Sequence, residues 1–313
     1  MKDLDIVTTY NGRSRRFQLL YRLLLLAKVV NNNNWTLYVG YQINTLIDSA
    51  MLGLFRFLCP NVVFVTFRTI ESAICNSKLR NIAFERGVAD FVLFFDLDIF
   101  PDQCMIKYIR DQAKQDAIAI MPCVYLTREG SKKYKANPES QKVNDWLVNL
   151  RTKFIQHLAI PSSIVCLKRL LVLEINGFDE RFVGHGYEDL DFLIRVDALW
   201  SKRKYSREDL VDETYLAPFF SIGFRHRLSF YCWDHLVSGK VFVHIWHKNV
   251  FGKKEERHQN KERFLAKYYM DNVTDVLENH NREICFEQKY EYLKKAYPGM
   301  VGAEFLFHKF SAR

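Results

Sequence analysis

A chain of 313 residues with 49% hydrophobic and 26% charged residues can bury a full core, which sets disorder aside. Its net charge of +9 admits nucleic acid, an anionic membrane surface or a phosphate-bearing substrate as partner, without choosing among them. The seven cysteines are odd in number, widely spaced and without a C-x-x-C pair, which reads as buried free thiols in a reducing cytoplasm.

The N-terminus carries charge where an export signal needs an apolar run. It moves at once into the first of four β-rich runs: Leu4 to Thr9, Trp35 to Tyr41, Val62 to Phe67 and Phe91 to Phe95. Between them, Arg13 to Val30 and Glu71 to Arg86 repeat apolar residues at helical spacing, with lengths that suit crossover helices. The most apolar part, Leu19 to Val30, holds Arg22 and Lys28 and falls well short of the roughly 20 residues that span a bilayer. The chain is therefore expected to be soluble or peripheral, in the cytoplasm or at the inner face of the cytoplasmic membrane.

Alternating strands and helices predict an α/β fold with a mostly parallel central sheet flanked by helices. The run Phe91 to Phe95 is apolar throughout, as a central strand would be, and delivers Asp96 and Asp98 to its C-terminal end. Open α/β sheets bind ligands beyond that end, so a nucleotide site is expected there. Further on, Pro101 to Lys114 predicts a helix, Ala117 to Tyr125 a strand, and the Lys-, Gly-, Ser-, Asn- and Pro-containing stretch Thr127 to Lys142 a long polar loop. Tyr187 to Trp200 reads as a helix, Lys240 to Trp246 as a strand, and Asn260 to Tyr269 and Glu283 to Ala296 as helices.

Three constellations could carry chemistry. Strand alternation puts Asp96 and Asp98 on one side with Leu97 turned to the core, and two hard oxygen donors there suit Mg²⁺ or Mn²⁺ on a diphosphate. His244 and His247, three apart near a strand end, could reach one ion, although a pair of satisfied, partly buried histidines is the commoner arrangement. Glu188, Asp189 and Asp191 open a helix, where acids are stabilised by the dipole anyway. Helix capping does not account for the Gly184 and Gly186 lead-in, which permits positive φ and close approach to a ligand, with a carboxylate beside it as general base.

Taken together these pieces resemble the GT-A glycosyltransferases, most closely the C-terminal part of the β-1,4-galactosyltransferase family and bacterial relatives in capsule and chondroitin-type polymer synthesis. The family's Gly-Phe-Asp-Glu-x-Phe phrase is matched by Gly177, Phe178, Asp179, Glu180 and Phe182, and its Gly-Gly-Glu-Asp loop by Gly186, Glu188 and Asp189. Its D-x-D is matched by Asp96 and Asp98, and its metal-binding segment by His244 and His247. The N-terminal nucleotide segment is matched more loosely, by Thr8 to Arg13 and Asn76 to Asn81.

The resemblance implies a GT-A (Rossmann-like) catalytic domain over 1–270, with a nucleotide-binding half at 1–126 and an acceptor and catalytic half at 127–270, then a C-terminal helical extension at 271–313. It implies that Asp189 deprotonates the acceptor hydroxyl while Glu188 orients acceptor or donor sugar. It further implies that Asp98, His244 and His247 hold Mn²⁺ (or Mg²⁺) against the diphosphate of a UDP-sugar. Thr9, Tyr10, Asn11, Arg13, Asn76, Lys78, Arg80 and Asp96 would serve the nucleotide. The activity implied is inverting transfer of a hexosyl unit, galactose or N-acetylgalactosamine favoured, to an oligosaccharide or lipid-linked glycan in bacterial surface polysaccharide synthesis. His185 and Tyr187 depart from the family's Trp and Gly, so sugar selectivity does not carry over.

Retaining polypeptide N-acetylgalactosaminyltransferases have a related loop but usually Asn after the Glu; Asp189 favours inversion. A non-catalytic basic binding module is the other alternative. Its basic clusters, Arg13 to Arg16, Lys202 to Arg207 and Lys253 to Arg263, are dispersed and lack a nucleic-acid-binding motif, so no nucleic-acid partner is expected. The stretch Lys248 to Arg263 suits either a solvated helix face or a loop closing over the diphosphate. Aromatic and basic residues alternate in Tyr290 to Arg313, which suits a peripheral membrane contact or a plain packed helix.

Overall fold

The computed structural model describes residues 2–11, 15–42, 46–67, 75–148, 153–202, 205, 209–210, 223–248 and 253–269. Arg13, the Glu71 start of the second crossover helix, the Glu283 to Ala296 helix and the 271–313 extension lie outside them. Two compact units are present. Met1–Met121, Ser162–Arg203 and His247–Phe264 form the first, and Pro122–Pro161, Lys204–Trp246 and Leu265–Arg313 the second.

Along the chain, the first unit begins with β1 (Leu4–Tyr10), α1 (Arg16–Asn32), β2 (Thr36–Gln42), α2 (Leu46–Leu58), β3 (Val62–Phe67), α3 (Asn76–Phe84), β4 (Phe91–Phe94), α4 (Gln103–Asp116) and β5 (Ile118–Ile120). The second unit takes β6 (Cys123–Leu126), α5 (Arg128–Ala136), α6 (Ser140–Val148) and β7 (Ile155–Ala159). The first resumes with β8 (Val165–Lys168), α7 (Arg169–Glu174) and α8 (Glu188–Ser201), the second with α9 (Phe224–Val237) and β9 (Phe242–His244). Last comes α10 (Lys253–Tyr269), which belongs to the first unit as far as Phe264.

The first unit's sheet has the order β3-β2-β1-β4-β8-β5. Its first four strands are parallel, and β8 runs antiparallel to both β4 and β5. The expected strands fall within a residue of their places because β1 and β2 are rich in apolar and β-branched residues and almost wholly buried. Crossover helix α1 buries Leu19, Leu23, Leu26, Ala27 and Val30 at helical spacing, the periodicity that made it legible. β4 carries Phe94 into an aromatic cluster: Phe178 and Phe192 stack with centroids 4.0 Å apart, and both meet Phe94 edge-on at 4.9 and 5.3 Å. The α3 helix lies so close to β2 that a Cβ at Gly40 would run into the backbone carbonyl of Leu79.

Two expectations are corrected. Ala117 to Tyr125 is not one strand but two, β5 in the six-stranded sheet and β6 in the second unit's three-stranded sheet of order β7-β6-β9. Pro122 separates them; it has no N–H for a ladder, and its carbonyl accepts from the Phe242 N–H at 3.0 Å. Thr127 to Lys142 is not a loop: it holds α5 and the start of α6. The Thr127 hydroxyl caps α5 by accepting from the Gly130 N–H at 3.0 Å, and Gly130, Ser131 and Tyr134 bury one face. The charged residues that made the segment look like a loop cover the other face.

Among the described residues no helix is long and apolar enough to cross a membrane. The six described cysteines are free, with Cys59, Cys123, Cys166 and Cys232 buried and Cys104 exposed. Because the Leu79 contact is with backbone, Gly40→Ala should destabilise the protein by about 1–3 kcal/mol, seen as a lower urea midpoint with an unchanged slope.

Candidate active site

β4 ends at Phe94, so Asp96 and Asp98 stand on the turn beyond it rather than within the strand; Leu97, between them, is buried as expected. The two carboxylates take different partners. Asp96 accepts from Arg80 Nη2 at 3.0 Å and from the Ser163 hydroxyl at 2.9 Å. Asp98 accepts from Arg15 through both oxygens, at 2.8 and 2.9 Å, and from Arg22. His247 Nε2 lies 3.1 Å from Asp98 Oδ2. Burial acts to raise the Asp98 carboxyl, but hydrogen bonds and charge from His247 and Arg15 outweigh it and hold the group far below the usual carboxylate range.

The acidic opening of α8 divides into three roles. Asp191 is fully buried and paired with Arg195 at 2.8 Å; Arg195 in turn donates to the carbonyls of Ile175 and Gly177 at 2.7 Å each, bracing the preceding turn. Asp189 is half-buried and accepts from the Leu190 N–H at 3.0 Å. Glu188 is buried, with Oε1 3.4 Å from Arg80 Nη1, while its Oε2 has no hydrogen-bond partner. Helix capping therefore describes at most Asp189, since Asp191 is spent on an i,i+4 ion pair, and it leaves a buried, half-satisfied carboxylate at Glu188.

Arg80 joins the two places. Its guanidinium lies between Asp96 and Glu188 and 5.1 Å above the Phe178 ring. Burial would lower its pKa, but Asp96, Glu188 and Asp189 raise it on balance. The next residue, Asn81, donates to the Phe178 carbonyl at 2.9 Å and accepts from the Phe178 N–H at 2.8 Å. Lys78 reaches Glu180 at 3.6 Å, and Asn76 opens the helix. The Asn76 to Asn81 segment and the Gly177 to Glu188 segment are thus bound together.

Gly184 and Gly186 adopt φ of 84° and 95°, as the lead-in suggested, and Tyr187 follows at 71°, unusual for a non-glycine residue. The Tyr187 ring is buried, packed 5.4 Å from Phe264 with Arg257 5.5 Å away, and Asn260 donates to the Val183 carbonyl at 3.0 Å. All three partners belong to α10, so the basic Lys253 to Arg263 stretch is a helix with one face on this loop.

At the end of β1, Thr9 and Asn11 are half-buried and Tyr10 is buried. In the second unit His244 ends β9, and Tyr125 is sandwiched between it and His157 at 4.0 and 4.1 Å; burial pushes His157 down to about 4, which keeps that ring neutral. Sequence reasoning missed Arg15, Arg22, Ser163 and the structural part of Asn81. Arg22 had a readable signal: a cation inside an apolar helical stretch needs a buried partner.

A sheet of this order, with helices on its flanks, is the arrangement of the GT-A nucleotide-sugar transferase fold. The family model "Glycosyltransferase like family 2" matches residues 61–271, and the chain belongs to that family. No curated protein matches the sequence. Among solved structures, the mannosyltransferase PcManGT from Pyrobaculum calidifontis, in complex with GDP-Man and Mn²⁺, shares the fold with TM-score 0.50 and 10% identity, over 98% of this chain and 70% of that one. TarS of S. aureus in complex with UDP aligns with TM-score 0.40 and 18% identity, over 63% of this chain and 55% of that one. A Drosophila β-1,4-galactosyltransferase 7 mutant, complexed with manganese, UDP-Gal and xylobiose, aligns with TM-score 0.33 and 13% identity, over 62% and 60%.

Burial and the neighbouring Asp189 raise the Glu188 carboxyl from 4.5 to about 7 against the pull of Arg80. Within that window folded protein keeps a proton that the unfolded chain has lost, so the stability contributed by this group falls as pH rises. Glu188→Gln should flatten the decline in stability between about pH 5 and 8 by roughly 1–3 kcal/mol, measured by urea unfolding at several pH values.

Proposed function

We propose that this glycosyltransferase is metal-dependent and inverting, moving a hexosyl unit from a UDP-sugar to a hydroxyl of an oligosaccharide or lipid-linked glycan. Galactose and N-acetylgalactosamine are the favoured donors. The observation that carries the reading is the meeting of Asp98 and His247, distant in sequence, at the C-terminal end of β4. A carboxylate oxygen and imidazole nitrogens form a donor set that fits Mn²⁺, and His244, three residues before His247, would complete it. Mg²⁺ fits the carboxylate but suits the imidazoles less. Stabilising the charge that develops on departing UDP is the chemistry that such an ion supplies when bound.

The chain's own groups account for the remaining steps. Asp189, half-buried at the first turn of α8, takes the proton of the acceptor hydroxyl. Glu188 orients a sugar through its unpartnered Oε2, which would otherwise stay a buried, unsatisfied acceptor. Asp96, held by Arg80 and Ser163, faces the ribose or a metal-bound water. Thr9 and Tyr10 at the end of β1, Asn11 and Arg13 after them in sequence, and Asn76, Lys78 and Arg80 serve the nucleotide. With one base and no covalent partner, the anomeric carbon inverts in a single in-line displacement; a retaining N-acetylhexosaminyl transfer would keep its configuration. Assembly of bacterial capsule or surface polysaccharide, at the inner face of the cytoplasmic membrane, is supported by the motif resemblance alone.

Calorimetric titration with UDP should show binding that requires Mn²⁺, is abolished by EDTA, and is lost in Asp98→Ala and His247→Ala. Absence of UDP binding by the unmodified protein under every condition would sink this reading. Asp189→Asn should retain UDP affinity and lose about 10²–10⁴-fold in kcat, with the configuration of the product read by NMR of its anomeric proton.

A further inference from the structure

Asp98 is overcommitted in a way that metal binding alone does not explain. Arg15 grips both of its oxygens, Arg22 shares Oδ1 and His247 approaches Oδ2. A carboxylate has about four lone-pair sites, and all four are taken. An ion held by Asp98 and His247 together takes the Oδ2 site that now faces His247, and an ion drawn onto the carboxylate there competes with the Arg15 Nη2 on the same oxygen. Two guanidiniums face this one carboxylate, so Arg15 can leave it with Arg22 still in place.

The two arginines are not equivalent. They stand seven residues apart, but Arg22 lies within α1 with its side chain 6% exposed, whereas Arg15 precedes the helix in a non-helical conformation and is 16% exposed. Arg15 also keeps a buried Nε–H without a partner. Its segment follows the C-terminal end of β1, and β1 lies beside β4 in parallel, so Arg15 and the Asp96 to Asp98 turn share the ligand-binding end of the sheet.

We propose that Arg15 is an exchanging phosphate ligand. It occupies Asp98 in the nucleotide-free protein and passes to the donor's diphosphate when the divalent ion takes its place on the carboxylate, while Arg22 stays to hold Asp98 in position. The proposal rests on the nucleotide-sugar reading above and adds a residue and a partner exchange to it. Arg15 then couples ion and donor: ion binding frees the guanidinium that grips the phosphates, and donor binding draws away the competitor for Asp98.

Two binding measurements on intact protein test it. Mn²⁺ affinity without nucleotide is read from the EPR signal of the free ion, and UDP and UMP affinities, with saturating Mn²⁺, from calorimetry. In Arg15→Ala, Mn²⁺ should bind about tenfold tighter, because Asp98 is released, while UDP binds at least about tenfold weaker and UMP changes far less. Arg15→Lys keeps a cation without the two-point grip, and should also tighten Mn²⁺ while retaining part of the preference for UDP over UMP. Unmodified protein that binds UDP with Mn²⁺, beside an Arg15→Ala variant with unchanged or weaker Mn²⁺ affinity, would overturn the exchange and leave the nucleotide reading standing. An Arg15→Ala variant that keeps the full preference for UDP would do the same. Unmodified protein that binds no UDP would remove both.

Discussion

The buried guanidinium of Arg80, shared by Asp96 and Glu188, is the interaction on which the remaining site geometry depends. Arg80 and Glu188 are buried while Asp96 is half-exposed, so the guanidinium takes its depth from Glu188 and its link to the solvent side from Asp96. The cation comes from α3, the Asp96 carboxylate from the turn after β4 and the Glu188 carboxylate from the first turn of α8. Three elements distant in sequence are thereby fixed at one point. Its position over the Phe178 ring adds an apolar floor, and Asn81 beside it locks the Phe178 backbone.

The glycine loop is held from two sides. Beneath it, Asp191 and Arg195 tie α8 to the Ile175 and Gly177 carbonyls. Above it, Asn260, Arg257 and Phe264 of α10 hold Val183 and Tyr187. A tyrosine at φ 71° costs conformational energy, and its burial against Phe264 offsets that cost. Tyr187, one of the two residues that depart from the galactosyltransferase pattern, is thus fixed in place by a helix from the other end of the described chain.

Much of this was legible in the sequence because the relevant signals are local. β1, β2, β3 and β4 are apolar runs flanked by turns, α8 begins at an acidic triplet, and the D-x-D turn follows a buried strand. What was not legible depends on partners far away. Nothing in Ile118 to Leu126 except Pro122 tells a reader that one apolar run serves two sheets. The α5 helix looks like a loop because its buried face is made of Gly130, Ser131 and Tyr134 rather than of aliphatic residues. The pairing of Arg15 and Arg22 with Asp98 appears only when α1 and the β4 turn are brought together, and a sequence records charge without recording distance.

The strand that carries the aspartates is paired on its two edges by segments from opposite ends of a long stretch of chain, β1 before it and β8 after it. During synthesis β1 is ready at once, but roughly 70 residues separate Phe94 from Val165. At about 5–20 residues per second the ribosome needs about 4 to 14 seconds to cross that gap. Throughout that interval β4 presents an apolar strand with a bare hydrogen-bonding edge, the kind of template on which chains misassociate. Closure by β8 is therefore a late, long-range event in the life of the nascent chain. The turn that bears Asp96 and Asp98 gains its second lateral support only then, so yield of correctly folded protein depends on how well that edge is shielded while it waits.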